Sequence, residues 1–199
     1  TVLDIDRIAI EKGKTFGLVG ESGAGKTVLA LAIQKLLPCP PGIVERGRII
    51  LNGQNLLERT EAEMRSIRGR KIAMIFQDPM STLNPVFTVG YQMTKVAMET
   101  QGLRRAEAAA RALEMTKTVK LPDSSKIMAK YPHELSGGQR QRIIIAMALL
   151  CGADFIIADE PTRNLDVTIQ AGILRLIAEL QKELGVTVLF IANNLGLVS

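Results

Sequence analysis

The stretch with the clearest chemical potential is a glycine-rich loop near the start of the 199-residue chain. It is a glycine, four further residues and then Gly-Lys-Thr, and it reads Gly20-Glu21-Ser22-Gly23-Ala24-Gly25-Lys26-Thr27. Glycines allow successive backbone N–H groups to point at one anion, and a following helix N-terminus adds partial positive charge. The Lys26 ammonium can reach the β- and γ-phosphates, and the Thr27 hydroxyl can ligate Mg²⁺. The loop therefore predicts binding of a nucleoside triphosphate.

A pair of adjacent acids supplies the second element of chemistry. The apolar run 155–158 ends in Asp159-Glu160. If the run is a strand, both carboxylates lie at its C-terminal edge, where α/β sheets bind their ligands. We expect Asp159 to hold Mg²⁺ through water and Glu160 to orient and polarise the attacking water. The alternative is a strand followed by a solvated turn, and the phosphate loop upstream weighs against it.

A third stretch, Leu135-Ser136-Gly137-Gly138-Gln139, stands immediately before a predicted helix. A serine and two glycines at a helix N-terminus can form another anion-binding site. A second phosphate-binding element in one chain makes sense if it serves a second nucleotide. The simpler alternative is that Ser136 only caps the helix.

Alternating strands and helices would position these loops. Periodicity, glycines and caps predict strands over residues 1–10, 16–19, 48–51, 71–76, 155–158 and 186–192. They predict helices over residues 28–37, 88–102, 104–120, 124–130, 139–150 and 167–184, and a short helix opened by a capping box at residues 60–63. This order indicates a largely parallel sheet covered on both faces. The helical stretch predicts a subdomain over 78–134, inserted in an ATP-binding α/β core formed by 1–77 and 135–199.

Composition narrows the functional class. The net charge of +5 is spread along the chain, so we expect no nucleic-acid partner. Cys39 and Cys151 lack metal-type spacing and are typical of reduced thiols in a cytosolic protein. We expect no signal peptide at the start of this sequence. The longest apolar run is broken by Gly152 and Asp154, so no membrane span is expected.

Residues 135–139, continued by Arg140-Gln141-Arg142, resemble the signature sequence of the ABC ATPases. The resemblance implies a P-loop NTPase fold of the α/β class, with a largely parallel sheet, an antiparallel β element and an inserted helical subdomain. It implies ATP and Mg²⁺ as cofactors and a second ABC ATPase subunit as partner, in a homo- or heterodimer. In such dimers Ser136, Gly137, Gly138 and Gln139 would close in trans over nucleotide held by the partner.

Two further loops match this family. Gln77 follows a predicted strand and resembles the Q-loop glutamine, which contacts the metal and belongs to the catalytic set. Leu165-Asp166 resembles the end of the D-loop. The resemblance covers essentially the whole chain and implies a functional role for Asp166 as well as ATP hydrolysis coupled to transport.

The importer branch is indicated by two local stretches. Phe-Gln-Asp-Pro-Met-Ser-Thr-Leu-Asn-Pro at 76–85 and Tyr-Pro-His-Glu at 131–134 resemble the importers of oligopeptides, dipeptides or nickel. The resemblance implies an ATPase subunit that powers import by ATP-driven dimer closure. It would lie at the cytoplasmic face of the cell membrane, bound to membrane permease subunits and served indirectly by an extracytoplasmic substrate-binding protein.

The chain departs from the family pattern at three places. Asn193, in Ile191-Ala192-Asn193-Asn194-Leu195-Gly196, occupies the position of the switch histidine, and the one histidine of the chain is His133. Arg163-Asn164 precede the D-loop aspartate where the family has small residues. We also expect both ends of the ATP-binding core to be cut, because the family stacks adenine on an aromatic residue upstream of the phosphate loop and the tyrosines, Tyr91 and Tyr131, are misplaced for that role.

These departures leave alternatives open. One is a nucleotide-binding subunit whose own site is degenerate and hydrolyses slowly, with Asn193 at the switch position. Another is a soluble ABC ATPase that acts outside transport, against which the residues around Gln77 and the compact helical subdomain argue.

Overall fold

The computed structural model of the protein describes residues 3–194. These residues form six strands and eight helices, with two short 3-10 turns, at Leu56–Glu58 and Pro132–Glu134. The strands are β1 (Thr15–Val19), β2 (Ile50–Leu51), β3 (Gln54–Asn55), β4 (Ile72–Ile75), β5 (Phe155–Asp159) and β6 (Thr187–Ala192). The helices are α1 (Lys26–Ile33), α2 (Glu61–Ile67), α3 (Pro79–Thr82), α4 (Val89–Gln101), α5 (Arg105–Thr118), α6 (Ser124–Ala129), α7 (Gly137–Leu150) and α8 (Val167–Leu184).

Four strands form one parallel sheet in the order β1-β6-β5-β4. The register pairs Thr15 with Val188, and Phe155 with both Thr187 and Ile72. All four strands therefore end at the same edge, which brings together the loops that follow them. The sheet confirms the predicted α/β fold with a largely parallel sheet.

The side chains of β5 show why this strand lies in the middle of the sheet. Every residue of β5 is buried, and successive residues point to opposite faces. Phe155 and Ile157 enter a core with α1 and α2, while Ile156 and Ala158 enter a larger core with α7 and α8. A continuous apolar run is what a parallel strand covered on both faces requires.

The antiparallel β element implied by the family resemblance is present as the hairpin β2–β3. Asn52 and Gly53 lie between the strands with φ values of 49° and 78°. Asparagine and glycine are the residues that tolerate this left-handed region in a two-residue hairpin turn. The predicted capping box at Thr60 is also present, since its hydroxyl accepts from the Glu63 backbone N–H.

The helical stretch packs through small and apolar residues. α4 lies against α5, α6 and α7, and the buried Met93 and Ala97 of α4 share the larger core with Ala108 and Ala112 of α5. Gly90 allows the closest approach, because a Cβ there would lie 2.7 Å from the Met128 carbonyl oxygen. The division into a core and a subdomain at 78–134 stays a prediction.

Two local predictions were wrong. Residues 3–10 form no strand, and positions 1 and 2 lie outside the described residues. Ile5 and Ile8 are exposed, and Ile10 packs only at the margin of the smaller core, so this segment buries too little to hold a place in the sheet. Helix α1 ends at Ile33 rather than at residue 37, because Lys35 takes a left-handed φ of 54°.

No helix between residues 3 and 194 is both long and apolar enough to cross a membrane.

Candidate nucleotide site

The phosphate loop joins β1 to α1 with two glycines in the left-handed region. Gly23 has a φ of 87°, and Gly25, at the N-cap of α1, has a φ of 85°. Residues with a Cβ rarely adopt such values, so these positions need glycine. Among the described residues no side chain caps the N-terminus of α1, which leaves its first backbone N–H groups available to an anion.

The ammonium group of Lys26 lies inside this loop and uses its three donors on protein oxygens. Nζ donates to the carbonyls of Gly20 and Glu21, each at 2.7 Å, and to Oδ1 of Asn193 at 2.8 Å. Lys26 itself is 7% exposed. The structure thus places the predicted loop lysine beside the residue at the switch position, which directly follows the adjacent strand β6.

Asp159, at the end of β5, lies next to the phosphate loop. It is 1% exposed, and burial is the largest influence on its carboxyl group, raising its pKa above the usual value. A hydrogen bond from the Thr27 side chain opposes that shift. Among residues 3–194, Oδ1 of Asp159 is buried without a hydrogen-bond partner. An unpartnered buried carboxylate oxygen beside a threonine hydroxyl fits the oxygen ligands that Mg²⁺ prefers.

Glu160 follows directly, and its carboxylate is held by two neighbours. The Gln77 amide Nε2 donates to Glu160 Oε2 at 2.9 Å. Nη1 of Arg163 lies 3.4 Å from the same oxygen. Gln77 follows β4, so the sheet brings this predicted pair together from positions 83 residues apart.

Residues 160–166 form a loop supported by Gln170, which sequence reasoning missed. Nε2 of Gln170 donates to the carbonyls of Thr162 and Leu165, each at 3.0 Å. The contact between Arg163 and Glu160 was missed too, although both residues were singled out. Their three-residue spacing across a turn is the signal that could have indicated it. No comparable spacing in the sequence indicates that Gln170, in the next helix, supports this loop.

The predicted signature residues form the start of α7. The Ser136 hydroxyl accepts from the Gln139 backbone N–H at 3.3 Å, and Gln139 Oε1 accepts from the Ser136 N–H at 3.1 Å. A Cβ on Gly137 would lie 3.2 Å from Leu165, and one on Gly138 would lie 2.9 Å from Ile169. The cap expected as the simpler alternative is therefore present, and both glycines also permit close packing on the segment around Asp166. Asp166 itself caps α8, accepting from the Ile169 N–H at 2.9 Å.

The predicted site residues thus form two groups. Gly20–Thr27, Gln77, Asp159, Glu160 and Asn193 meet at the sheet edge, and Ser136–Gln139 pack against the loop that carries Asp166. Comparison with known protein families shows which family has this arrangement. The family model described as ABC transporter matches residues 3–163. The chain belongs to the ABC transporter family.

Relatives within the ABC family share close to half of their residues with this chain. The "Probable peptide ABC transporter ATP-binding protein" of Sinorhizobium fredii is 50% identical over 190 residues, which are 96% of this chain and 57% of that protein. The oligopeptide transport ATP-binding protein of Bacillus subtilis is 47% identical over 96% of this chain and 53% of its own length. The chain therefore spans little more than half the length of these relatives.

A solved ABC structure has the same fold. The dimeric ATP-binding cassette in a post-hydrolysis state, bound to ADP and Pi, superposes with a TM-score of 0.83 at 28% identity. The match covers 98% of this chain and 82% of that one. The ABC ATPase fold, with its P-loop core and antiparallel β element, is thereby confirmed.

Proposed function

We propose that the chain is the ATP-binding and ATP-hydrolysing part of an ABC importer. The observation that carries the proposal is the meeting of Lys26, Gln77, Asp159 and Glu160 at one edge of the sheet. These side chains provide a cation for phosphates, oxygens for a metal and a carboxylate for water, which are the parts that hydrolysis of a triphosphate requires.

The residues around Asp159 fit Mg²⁺ as the second cofactor. Asp159 Oδ1, the Thr27 hydroxyl and the Gln77 side chain would hold the ion and its waters. When bound, Mg²⁺ neutralises charge on the phosphate oxygens. The chain's own residues then orient the reaction, because Lys26 binds phosphate oxygens and Glu160 accepts a hydrogen bond from the attacking water.

Gln77 has two amide ends with different roles in the proposed reaction. Its amide nitrogen is now bound to Glu160, so its carbonyl oxygen is the end that can serve a metal. Release of Glu160 by Gln77 would free the carboxylate for water in the same step. In this proposal, binding of nucleotide with its metal and release of the Glu160 carboxylate are therefore linked through the Gln77 side chain.

The signature at Ser136–Gln139 supports dimer closure with a second ABC ATPase subunit. In this proposal the start of α7 covers ATP held by the partner, and its packing on the loop with Asp166 connects the two sites. The names of relatives support transport of peptides. The resemblance to this importer branch adds nickel as the alternative cargo. The chain's membrane partners would be permease subunits, and an extracytoplasmic binding protein would deliver the cargo to them. The chain would lie at the cytoplasmic face of the membrane.

We further propose that this chain's own site is slow. A switch histidine can donate to the γ-phosphate and can carry positive charge, whereas asparagine is shorter and never cationic. Loss of one well-placed donor from a transition state lowers the rate by about 10²–10³. The Asn193 amide retains one donating end, since its oxygen is bound to Lys26. A second, hydrolytic subunit would then carry most of the turnover.

The deciding experiment measures ATP binding and steady-state hydrolysis of the chain assembled with its partner subunit. Lys26→Ala should weaken ATP binding about ten- to hundredfold, because one charge-assisted contact contributes about 1.5–3 kcal/mol. Glu160→Gln should bind ATP normally and lose hydrolysis at this site. Unchanged ATP affinity in Lys26→Ala would overturn the assignment of the loop.

The slow site is tested separately with the partner's site silenced. Asn193→His should raise turnover by at least about tenfold, below the full donor range because the amide retains part of the effect. Fast turnover with Asn193, unchanged by histidine, would show a fully active site. Co-purification with integral membrane proteins distinguishes a transporter subunit from a soluble ABC ATPase.

A further inference from the structure

Arg163 is the residue of this site whose position the proposed function leaves unexplained. Its guanidinium Nη1 lies 3.4 Å from Oε2 of Glu160, the carboxylate assigned to the attacking water. The Glu160 side chain is 10% exposed and that of Arg163 is 48% exposed. One face of the cation thus contacts the carboxylate, and the other remains open.

The backbone brings the two side chains together. Glu160 has a φ of 45°, in the left-handed region that residues with a Cβ rarely adopt. The turn is closed by a hydrogen bond from the Arg163 N–H to the Glu160 carbonyl at 3.0 Å. Asn164 follows with a φ of 63°, and Gln170 bonds the carbonyls on either side of Arg163 and Asn164. The contact is therefore built on a well-supported turn.

This arrangement fixes one oxygen of the Glu160 carboxylate. Oε2 accepts from the Gln77 amide at 2.9 Å and lies against Arg163 on its other side. Both donors hold the carboxylate in the resting arrangement, in which the Gln77 amide nitrogen is also bound to Glu160. A contact made only in the resting arrangement lowers the fraction of molecules that are ready to react.

We propose that Arg163 is a positioning residue that holds Glu160 and, through it, Gln77 in a resting orientation and so slows hydrolysis. The inference rests on the proposed function, in which Glu160 directs the attacking water. Asn193 would reduce stabilisation of the γ-phosphate, whereas Arg163 acts earlier, on the readiness of the carboxylate. The two effects are therefore separable.

The surroundings allow Arg163 to release the carboxylate. A cavity of about 180 Å³ lies beside the pair and is lined by Glu160, Arg163, Asn164 and Asn193, among others. Because the Arg163 side chain is 48% exposed and borders this space, the guanidinium has room to leave the carboxylate. Arg163 thus acts as a reversible restraint rather than a permanent block.

The test uses the chain in its assembled dimer, with the partner's site silenced. Arg163→Ala should raise kcat about two- to fivefold and leave KM for ATP unchanged, which is the size expected of a partly exposed ion pair. Arg163→Lys keeps a cation and should retain most of the slowing. Millimolar guanidinium, added to Arg163→Ala, should enter the vacated space and slow it again, with no effect on the unmodified protein.

Arg111→Ala is the matched control. Arg111 forms an ion pair with Glu114 at a three-residue spacing, and its side chain is also 48% exposed. Its loss should leave kcat and KM unchanged. Thermal melting of each variant reports whether the fold is retained.

The outcomes separate the two proposals. An unchanged or lower kcat in folded Arg163→Ala, while Glu160→Gln is inactive, would overturn the restraint and leave the proposed function intact. Full turnover in Glu160→Gln would overturn both, because Glu160 would then not direct the water. A rise in kcat that guanidinium reverses supports the restraint.

Discussion

Lys26 donates a hydrogen bond to Asn193 at 2.8 Å, although 167 positions separate the two residues in the chain. The ammonium group has three donors, and two backbone carbonyls accept from the others. A phosphate oxygen must therefore displace at least one protein oxygen from Lys26. Asn193 is the one acceptor of the three that belongs to a side chain.

Removal of the Asn193 side-chain oxygen should thus strengthen ATP binding. Asn193→Ala leaves one Lys26 donor unpaired, and we expect a gain of about fivefold in affinity, equivalent to about 1 kcal/mol for one net hydrogen bond. Asn193→Asp should weaken binding at least tenfold, because the carboxylate pairs with Lys26 and repels phosphate. Calorimetric titration with a non-hydrolysable ATP analogue measures both. In a Lys26→Ala background, Asn193→Ala should give no gain in affinity; an equal gain there would contradict the displacement model.

The buried Asp159 leads to a prediction about the metal. Asp159→Asn should lower ATP affinity about tenfold when Mg²⁺ is present, since a charge-assisted contact to the ion and its waters is lost. With Mg²⁺ removed by EDTA, the variant and the unmodified protein should bind ATP almost equally. Asp154→Asn is the control, because the Asp154 side chain is exposed and its ion pair with Lys71 is long at 3.9 Å. Equal losses with and without Mg²⁺ would argue against a metal role.

The cap at Ser136 changes how the signature should be tested. Ser136→Ala and Ser136→Arg both lose the bond to the Gln139 N–H, at a similar cost of about 1 kcal/mol in folding stability. Only arginine would fill the space of the partner's phosphate. In a Glu160→Gln background with ATP, we expect a dimer for Ser136→Ala and a monomer for Ser136→Arg by size-exclusion chromatography. Dimers of both would reduce the signature to a helix cap.

The two cysteines should differ sharply in reactivity. Cys39 is exposed, whereas burial raises the pKa of the Cys151 thiol from 9.0 to about 11. Only about one Cys151 in a thousand is a thiolate at pH 8, since the fraction falls tenfold per pH unit below the pKa. Brief treatment with iodoacetamide at pH 8, followed by mass spectrometry, should modify Cys39 alone. Equal modification of the native protein would contradict the burial of Cys151.

The same shift has a consequence for stability. Because the folded state favours the neutral thiol, its contribution to stability is complete below pH 9 and is lost as the pH rises through 11. Cys151→Ala should remove this component of the alkaline destabilisation. Denaturant titrations at pH 8 and pH 10.5 measure it, with Cys39→Ala as the comparison.

Local signals in the sequence were sufficient for some elements. Helix α8 was predicted with the same bounds as in the structure, Val167–Leu184. Asp166 caps its first turn, and Gly185 ends it with a φ of 65°, so both limits are encoded next to the helix. The hairpin at Asn52-Gly53 was predictable for the same reason.

Other features depend on residues far away in the chain. Helix α1 stops early at the left-handed Lys35, and Arg68, from a distant part of the chain, binds the carbonyls of Gln34 and Lys35 that follow the helix, at 2.8 and 3.0 Å. The contact between Lys26 and Asn193 requires β6 to lie next to β1, an order that no local pattern specifies. The sequence motifs therefore identified most of the site residues. Contacts between distant residues, such as Lys26 and Asn193, could be known only from the order of the strands in the sheet.

The strand order also determines when β1 can join the sheet during synthesis of the chain. β1 pairs with β6 alone among the described strands, so the strand that leads into the phosphate loop waits for its partner until almost the whole described chain has left the ribosome. At about 5–20 residues per second, the 167 positions between Lys26 and Asn193 correspond to roughly 10 to 30 s. During this interval β1 exposes an unpaired edge, which is the kind of surface that chaperones recognise and that promotes misassembly. ATP cannot assist the early part of folding, because its binding loop gains its supporting strand only at the end.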